Sequence, residues 1–429
     1  MKKTCIENKK IVLIWLWKCL EEKTMFTETD FMKKSSRFSL IYAIAFFRQQ
    51  MLLLPVLLLF YLENGLTVGD YFLFQGVMTL LTVLLEMPAG YASDKLSPKI
   101  VLIFAFLMLF SRDVFWLFGH GYWIVFAGEF CYTLFRVCFD SIASSYIYTA
   151  LKRENRAENI NRVYSIFNGV MCLSTAAAAL YGSYIFKAAG YKIVLAVELL
   201  FISAAVVSAC LLPSVQREKQ EVSVHKNRFG QLVKISKYVF KQKSLIPFIA
   251  FSGLLVAFSN FFFWSFQPLL KLSDSPVMLF GFVVLINNII RFSGSLLAGK
   301  LNEIFGLKMI ASRVFWLEVS SLVLVGTAYF VSSSWLCMLL IFFLCLCIGG
   351  QLVFTINHIS RLHKIVLSPI RSSMSSFNMV AARLMTAVLM ISAKFLLPYF
   401  GIIAIMAGYV GLILLPVGGF FLRRIVRQI

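Results

Sequence analysis

The chain has 429 residues, 60% of them hydrophobic and 14% charged, with a mean hydropathy of +0.83. Soluble chains run about 45–50% apolar and about 25% charged, so this composition excludes a water-soluble domain and makes the bilayer the main solvent. The formal charge of +21 suggests a nucleic-acid partner only until the basic residues are placed along the chain.

Residues 1–37 are expected to form a cytoplasmic extension. Ile11 to Leu20 is too short to span, is interrupted by Lys18 and lacks a small-residue cleavage site; Met25 or Met32 would serve equally as a start. Twelve apolar stretches follow, at about 38–61, 70–92, 100–119, 122–149, 163–186, 192–212, 246–270, 276–299, 309–331, 335–360, 374–397 and 401–422, here called spans 1 to 12. Most are near the ~20 residues that a helix needs to cross a bilayer. They are continuously apolar rather than alternating, so helices and not barrel strands are expected. The predicted fold class is all-α integral membrane, with twelve helices in two pseudo-symmetric six-helix bundles, 38–212 and 246–422. Between them lies a basic linker, 213–245, and after them a tail, 423–429. Within the linker, Phe229, Leu232, Val233, Tyr238 and Phe240 alternate with Lys234, Lys237 and Lys241 as on an interfacial amphipathic helix; a dock for a regulatory protein is the alternative.

Of the 41 Lys and Arg, 31 fall in segments on the side of the two termini, whereas the opposite loops hold only Lys187, Lys192 and Lys271. By the positive-inside rule both termini are cytoplasmic, in a multi-pass protein of the cell's inner or plasma membrane. The charge excess is therefore a topology signal and no nucleic-acid partner is expected.

Between spans 2 and 3 lies Gly90-Tyr91-Ala92-Ser93-Asp94-Lys95-Leu96-Ser97-Pro98-Lys99. A weaker copy, with Gly299, Glu303 and Lys308 in the corresponding places, lies 209 residues later. A charged hairpin repeated in each half points to a secondary transporter with its site between the halves.

Ionisable residues at membrane depth are expensive and mark candidate sites. In span 4, Glu129, Arg136 and Asp140 fall within about 40° of arc on one helical face, a stripe roughly 16 Å long. Asp140 is the first candidate for a protonatable coupling residue, by alternating between Arg136 and an apolar setting, and Glu129 is the second; mutual neutralisation of Arg136 and Asp140 is the competing reading. Arg48 and Arg383 lie about 15 Å from the terminal side, and Arg291 shares a face with Asn287 and Asn288. Trp264 and Gln267 share a face of the aromatic span 7, for cavity or packing. Arg112, Asp113, Glu198 and Glu318 are expected to snorkel or pair with adjacent residues, and His358 and His363 to be interfacial. No metal or disulfide spacing is present, nor a phosphate-binding Gly-rich loop, so neither an enzyme nor an ATP-driven pump is expected.

Tyr61-Leu62-Glu63-Asn64-Gly65-Leu66-Thr67, Leu85-Glu86-Met87-Pro88-Ala89-Gly90, the charged turn and Gln267-Pro268 together resemble the major facilitator superfamily, most closely a bacterial subgroup of drug and solute efflux carriers. The likeness runs from about Phe38 to Arg424. In the turn, Ser97 stands where that family usually has Gly and Pro98 where it has a basic residue. The resemblance implies that spans 1, 4, 7 and 10 line a central cavity, and that Asp94 latches onto the start of span 11 near Ser372 to Ser376. Glu86, Gly90, Lys95 and Lys99 would support this gate, with Gly299, Glu303 and Lys308 as its second copy.

The expected function is proton-coupled efflux of a small, amphipathic or anionic solute by alternating access, in a monomer without a cofactor and driven by the proton gradient. Uptake or uniport of a metabolite is the alternative, and a non-transporting membrane receptor another. The cavity count of Arg48, Arg136, Arg291 and Arg383 against Glu129 and Asp140 is +2, which favours an anionic group on the substrate.

Overall fold

The computed structural model describes residues 36–153, 160–213, 245–330, 334–365 and 371–428. The N-terminal extension and the linker's amphipathic segment lie outside these residues. Every regular element among the described residues is helical. Among the described residues, nine helices are long and apolar enough to cross a membrane. Two of them are double crossings: Ile160–Leu211 turns at Gly190 (φ 75°) and Val277–Phe330 at Gly306 (φ 68°). Both glycines fall in the gaps predicted between spans 5 and 6 and between spans 8 and 9, and the left-handed backbone there suits a residue without Cβ.

Span 1 departs from its expected single helix. It consists of Ser36–Arg48, an irregular stretch, a 3-10 turn at Leu54–Val56 and the helix Leu57–Glu63. Pro55 contributes by lacking an N–H. Non-helical backbone at membrane depth is stable only where protein satisfies it, and here spans 5 and 6 do so. The Leu53 N–H donates to Glu198 Oε2 at 3.2 Å and Ser174 Oγ donates to the Phe46 carbonyl at 2.7 Å, while the Gln50 side chain is held by Ser174 and Tyr181.

Span 2, Val68–Lys95, opens on a capping box in which Thr67 and Asp70 satisfy each other's backbone N–H groups. Span 3, Pro98–Phe118, starts on Ser97, whose hydroxyl accepts from the Ile100 N–H at 3.4 Å. The departure of Ser97-Pro98 from the resembled pattern thus has a local reason: Ser at N-cap followed by Pro is a strong helix start. Span 12 carries a π-helical stretch, Val410–Gly418, which includes Pro416 and where the ordinary ladder is already interrupted.

The described chain begins and ends on one face, called here the terminal face. Toward the opposite face the two six-span halves are pressed together. A Cβ on Gly281 of span 8 would lie 2.3 Å from the Ala179 carbonyl oxygen of span 5, and one on Gly76 of span 2 would lie 2.7 Å from Ile391 Cγ1 of span 11. Toward the terminal face Gly169 and Gly299 have nothing within 4 Å of a Cβ position, and Arg291 is exposed. Among the described residues, the halves press together at the opposite face and part toward the terminal face.

Candidate functional site

At membrane depth on the parted side, a line of polar side chains crosses spans 11, 2, 4 and 1. Arg383 of span 11 pairs with Glu86 of span 2, which joins the two halves. One helical turn from Glu86, Thr82 Oγ1 accepts from Arg136 Nη2 of span 4 at 2.6 Å. One turn beyond Arg136, Asp140 Oδ1 accepts from Arg48 Nη2 of span 1 at 3.2 Å. Arg48 also donates to Met171 Sδ of span 5 at 3.2 Å and lies over the Phe139 ring at 3.9 Å. The i, i+4 spacing on spans 2 and 4 turns separate contacts into a ladder.

The acids of the ladder are more exposed than the arginines that pair with them. The Asp140 side chain is 60% exposed and that of Glu86 41%, against 11% for Arg48. Arg48 is held under an aromatic lid, with its Nε buried and unpartnered, while the acid that pairs with it faces the opening. Arg291 of span 8 is exposed on the same side, within electrostatic reach of Cys172 across the halves on span 5.

Several expectations are corrected. Arg136 and Asp140 do not neutralise each other, because each finds a partner on a neighbouring span. Glu129 is buried rather than cavity-facing: it accepts from Tyr61 Oη at 2.5 Å inside the first half. Trp264 and Gln267 take part in closing the opposite face. Gln267 Oε1 accepts from the Leu58 N–H at 2.7 Å and its Nε2 donates to the Leu54 carbonyl at 3.1 Å, while Tyr71 Oη donates to the Trp264 carbonyl at 3.2 Å. Leu58 and Gln267 are themselves 209 residues apart, the repeat offset, so equivalent places in the two halves meet there. Asn288 donates to its own helix, at the Val284 carbonyl, 2.8 Å away.

Arg112, Asp113, Glu198 and Glu318 are all buried and do not snorkel, whereas the expected adjacent pairing is present between Arg112 and Asp113. His358 is no interfacial residue either, being enclosed between Phe248 and Phe354; the His363 side chain lies outside the described set. So do the side chains of Asp94, Lys95, Ser372 and Ser373, and with them the latch contact. Gly90 is buried and Lys99 half-buried, whereas Gly299, Glu303 and Lys308 are exposed.

Sequence reasoning missed two parts of the arrangement. Thr82 gives no signal in a chain rich in hydroxyl residues. Asp70 and Lys394 form a second bond between the halves at the opposite face, with Lys394 Nζ 2.6 Å from Asp70 Oδ1; the isolated Lys within span 11 was the available clue. Among the described residues no group of three or more potential metal ligands is present.

The sequence profile of the Major Facilitator Superfamily matches residues 38–388, most of the chain. The chain belongs to the Major Facilitator Superfamily. Among curated protein sequences none matches it. In solved structures, a variant of the nucleoside transporter NupG is similar with a TM-score of 0.75 at 15% identity, covering 91% of this chain and 100% of its own. A POT family transporter in complex with 5-aminolevulinic acid follows at 0.71 and 12%, covering 91% and 95%. The human organic anion transporter MFSD10 gives 0.58 at 13%, covering 90% and 98%. At these identities the likeness carries the fold. The superfamily places a small-molecule substrate and a membrane with this chain, and no chemistry of bond making.

Proposed function

We propose that this member of the superfamily is a proton-coupled efflux carrier for a small solute bearing an anionic group. The observation that carries the reading is the ladder itself, which runs through both halves at membrane depth and opens to the terminal face. With that face taken as cytoplasmic from the distribution of basic residues, the exposed carboxylates of Asp140 and Glu86 support an inward-facing carrier ready to receive solute from the cell. Glu86 replaces Glu129 in the charge count. Arg48, Arg136, Arg291 and Arg383 against Glu86 and Asp140 still leave +2, which a solute anion would offset. Such an anion competes with Asp140 for Arg48 and with Glu86 for Arg383. Because Arg383 and Glu86 belong to different halves, exchanging that bond for one to the solute changes the force between the halves. A proton on Asp140 releases Arg48 in the same way, which makes Asp140 the coupling residue.

The experiment is solute-evoked proton movement into proteoliposomes that enclose a pH dye, for wild type and Asp140→Asn, with a panel of small anionic and amphipathic solutes. Flux in the wild type that disappears in Asp140→Asn is expected. Undiminished coupled flux in the variant overturns the assignment of Asp140. Solute movement without protons, or movement only inward, overturns coupling or direction respectively.

A further inference from the structure

Away from the ladder, the first half encloses a second group of charges. Arg112 Nε donates to Asp113 Oδ1 at 2.6 Å, and Arg112 Nη2 donates to Glu198 Oε1. The side chains of Arg112, Asp113 and Glu198 are 3%, 0% and 1% exposed. Trp116 and Tyr132 flank the guanidinium, at 5.0 and 5.5 Å from its central carbon. Two carboxyls therefore share one buried cation. Among the described residues, nothing else acting on them supplies a second positive charge. Tyr61 and Tyr71 are neutral, Glu129 adds another acid within reach of Arg112, and Arg136, which also acts on Glu129, is engaged by Thr82. An uncompensated carboxylate in such a place is strongly unfavourable, and a carboxyl relieves it by taking up a proton.

The donors say which one. Glu198 receives two, from Arg112 at one oxygen and from the Leu53 N–H at the other, whereas Asp113 receives one and its Oδ2 has no partner. We infer that Asp113 holds a bound proton in this conformation, as a second proton site separate from Asp140. Glu198 is then the anion that fastens the break in span 1. When Asp113 loses its proton to water, the O–H bond breaks and its electron pair stays on the carboxylate. Two full anions then compete for Arg112, and the hold of Glu198 on Leu53 loosens, five residues from Arg48 of the ladder. This deepens the coupled-transport reading and rests on it for its use, though not for its test.

The test is infrared spectroscopy of the full-length purified protein at neutral pH, read at the carbonyl stretch of an un-ionised carboxylic acid. Asp113→Asn is expected to remove one component of that band. Glu198→Gln is expected to remove the same component, because Asp113 then becomes the one carboxyl bonded to Arg112 and ionises; this variant also decides the matter should Asp113→Asn fail to fold. Asp140→Asn is expected to leave the component in place, and other buried acids such as Glu318 contribute components that none of these variants removes. A band unchanged in Asp113→Asn, or a component that persists in Glu198→Gln, overturns the inference. If the band behaves as expected while no solute evokes proton flux, the proton site stands and the coupling reading falls. If flux is present and the band ignores Asp113, the reverse holds.

Discussion

The Gln267→Leu substitution tests how the opposite face is closed. Gln267 is fully buried and joins the halves through two hydrogen bonds to the backbone of span 1, at 2.7 and 3.1 Å. Leucine has similar bulk but offers neither bond, and it leaves the Leu58 N–H and Leu54 carbonyl unserved in the closed seam. Hydrogen bonds of this kind contribute about 0.5–1.5 kcal/mol each in water and on average about 0.6 kcal/mol between membrane helices. The pair is therefore worth about 1–3 kcal/mol to the conformation open at the terminal face, and its loss raises the population open at the opposite face roughly 5- to 150-fold. The reporter is Ser183→Cys in a background without other thiols. Ser183 is buried, and its hydroxyl would lie 2.8 Å from a Cβ on Gly281 across the seam. An impermeant thiol reagent added at the opposite face should label it faster by that factor in Gln267→Leu. A rate within twofold of the unsubstituted reporter would refute the view that Gln267 holds the seam.

Lys394→Ala removes the ion pair between the halves at that face, but its side chain is 29% exposed; the same assay should rise less than tenfold, and the gap between variant and parent should narrow in high salt. Glu86→Gln strands Arg383 at the parted side and is expected to reduce solute transport at least tenfold. The charge-swapped pair Glu86→Arg with Arg383→Glu should recover part of it, and failure of the swap to exceed either single variant would indicate that the pair matters for something other than joining the halves. Gly281→Val should insert carbon where only 2.3 Å separates a Cβ from the Ala179 carbonyl oxygen. Thiol labelling of Ser183→Cys from the opposite face should then rise without loss of folded protein, checked by monodispersity on gel filtration.

Much of the architecture was legible because the signals are local. Continuous apolar runs dictate membrane-crossing helices, the Gly190 and Gly306 turns fall where hydropathy is interrupted, and Thr67 with Asp70 announces a helix start. The membrane depth of Arg48, Asp140 and Arg383 also follows from counting residues along a helix. What counting cannot supply is the neighbour. Spacing placed Arg136 and Asp140 on one face and suggested that they pair with each other; the packed helices give Asp140 to Arg48 and Arg136 to Thr82, because a side chain bonds to what the adjoining span presents at its level. The break in span 1 carried a local mark, Arg48-Gln49-Gln50 shortly before Pro55, but what holds its irregular path is Glu198 of span 6 with Ser174 and Tyr181 of span 5, which no local pattern shows.

The sequence by itself therefore determined that this chain lives in a bilayer, how often it crosses, and which charges lie too deep to be there without a partner. Those properties depend on transfer free energies and helix periodicity, which are written residue by residue. Only the tertiary structure decided which charges meet, that Gln267 and Lys394 fasten one face while Glu86 and Arg383 still join the halves at the other, and that Asp113 and Glu198 share one arginine. Those depend on contacts between segments distant along the chain, and no one-dimensional pattern fixes the distance between them.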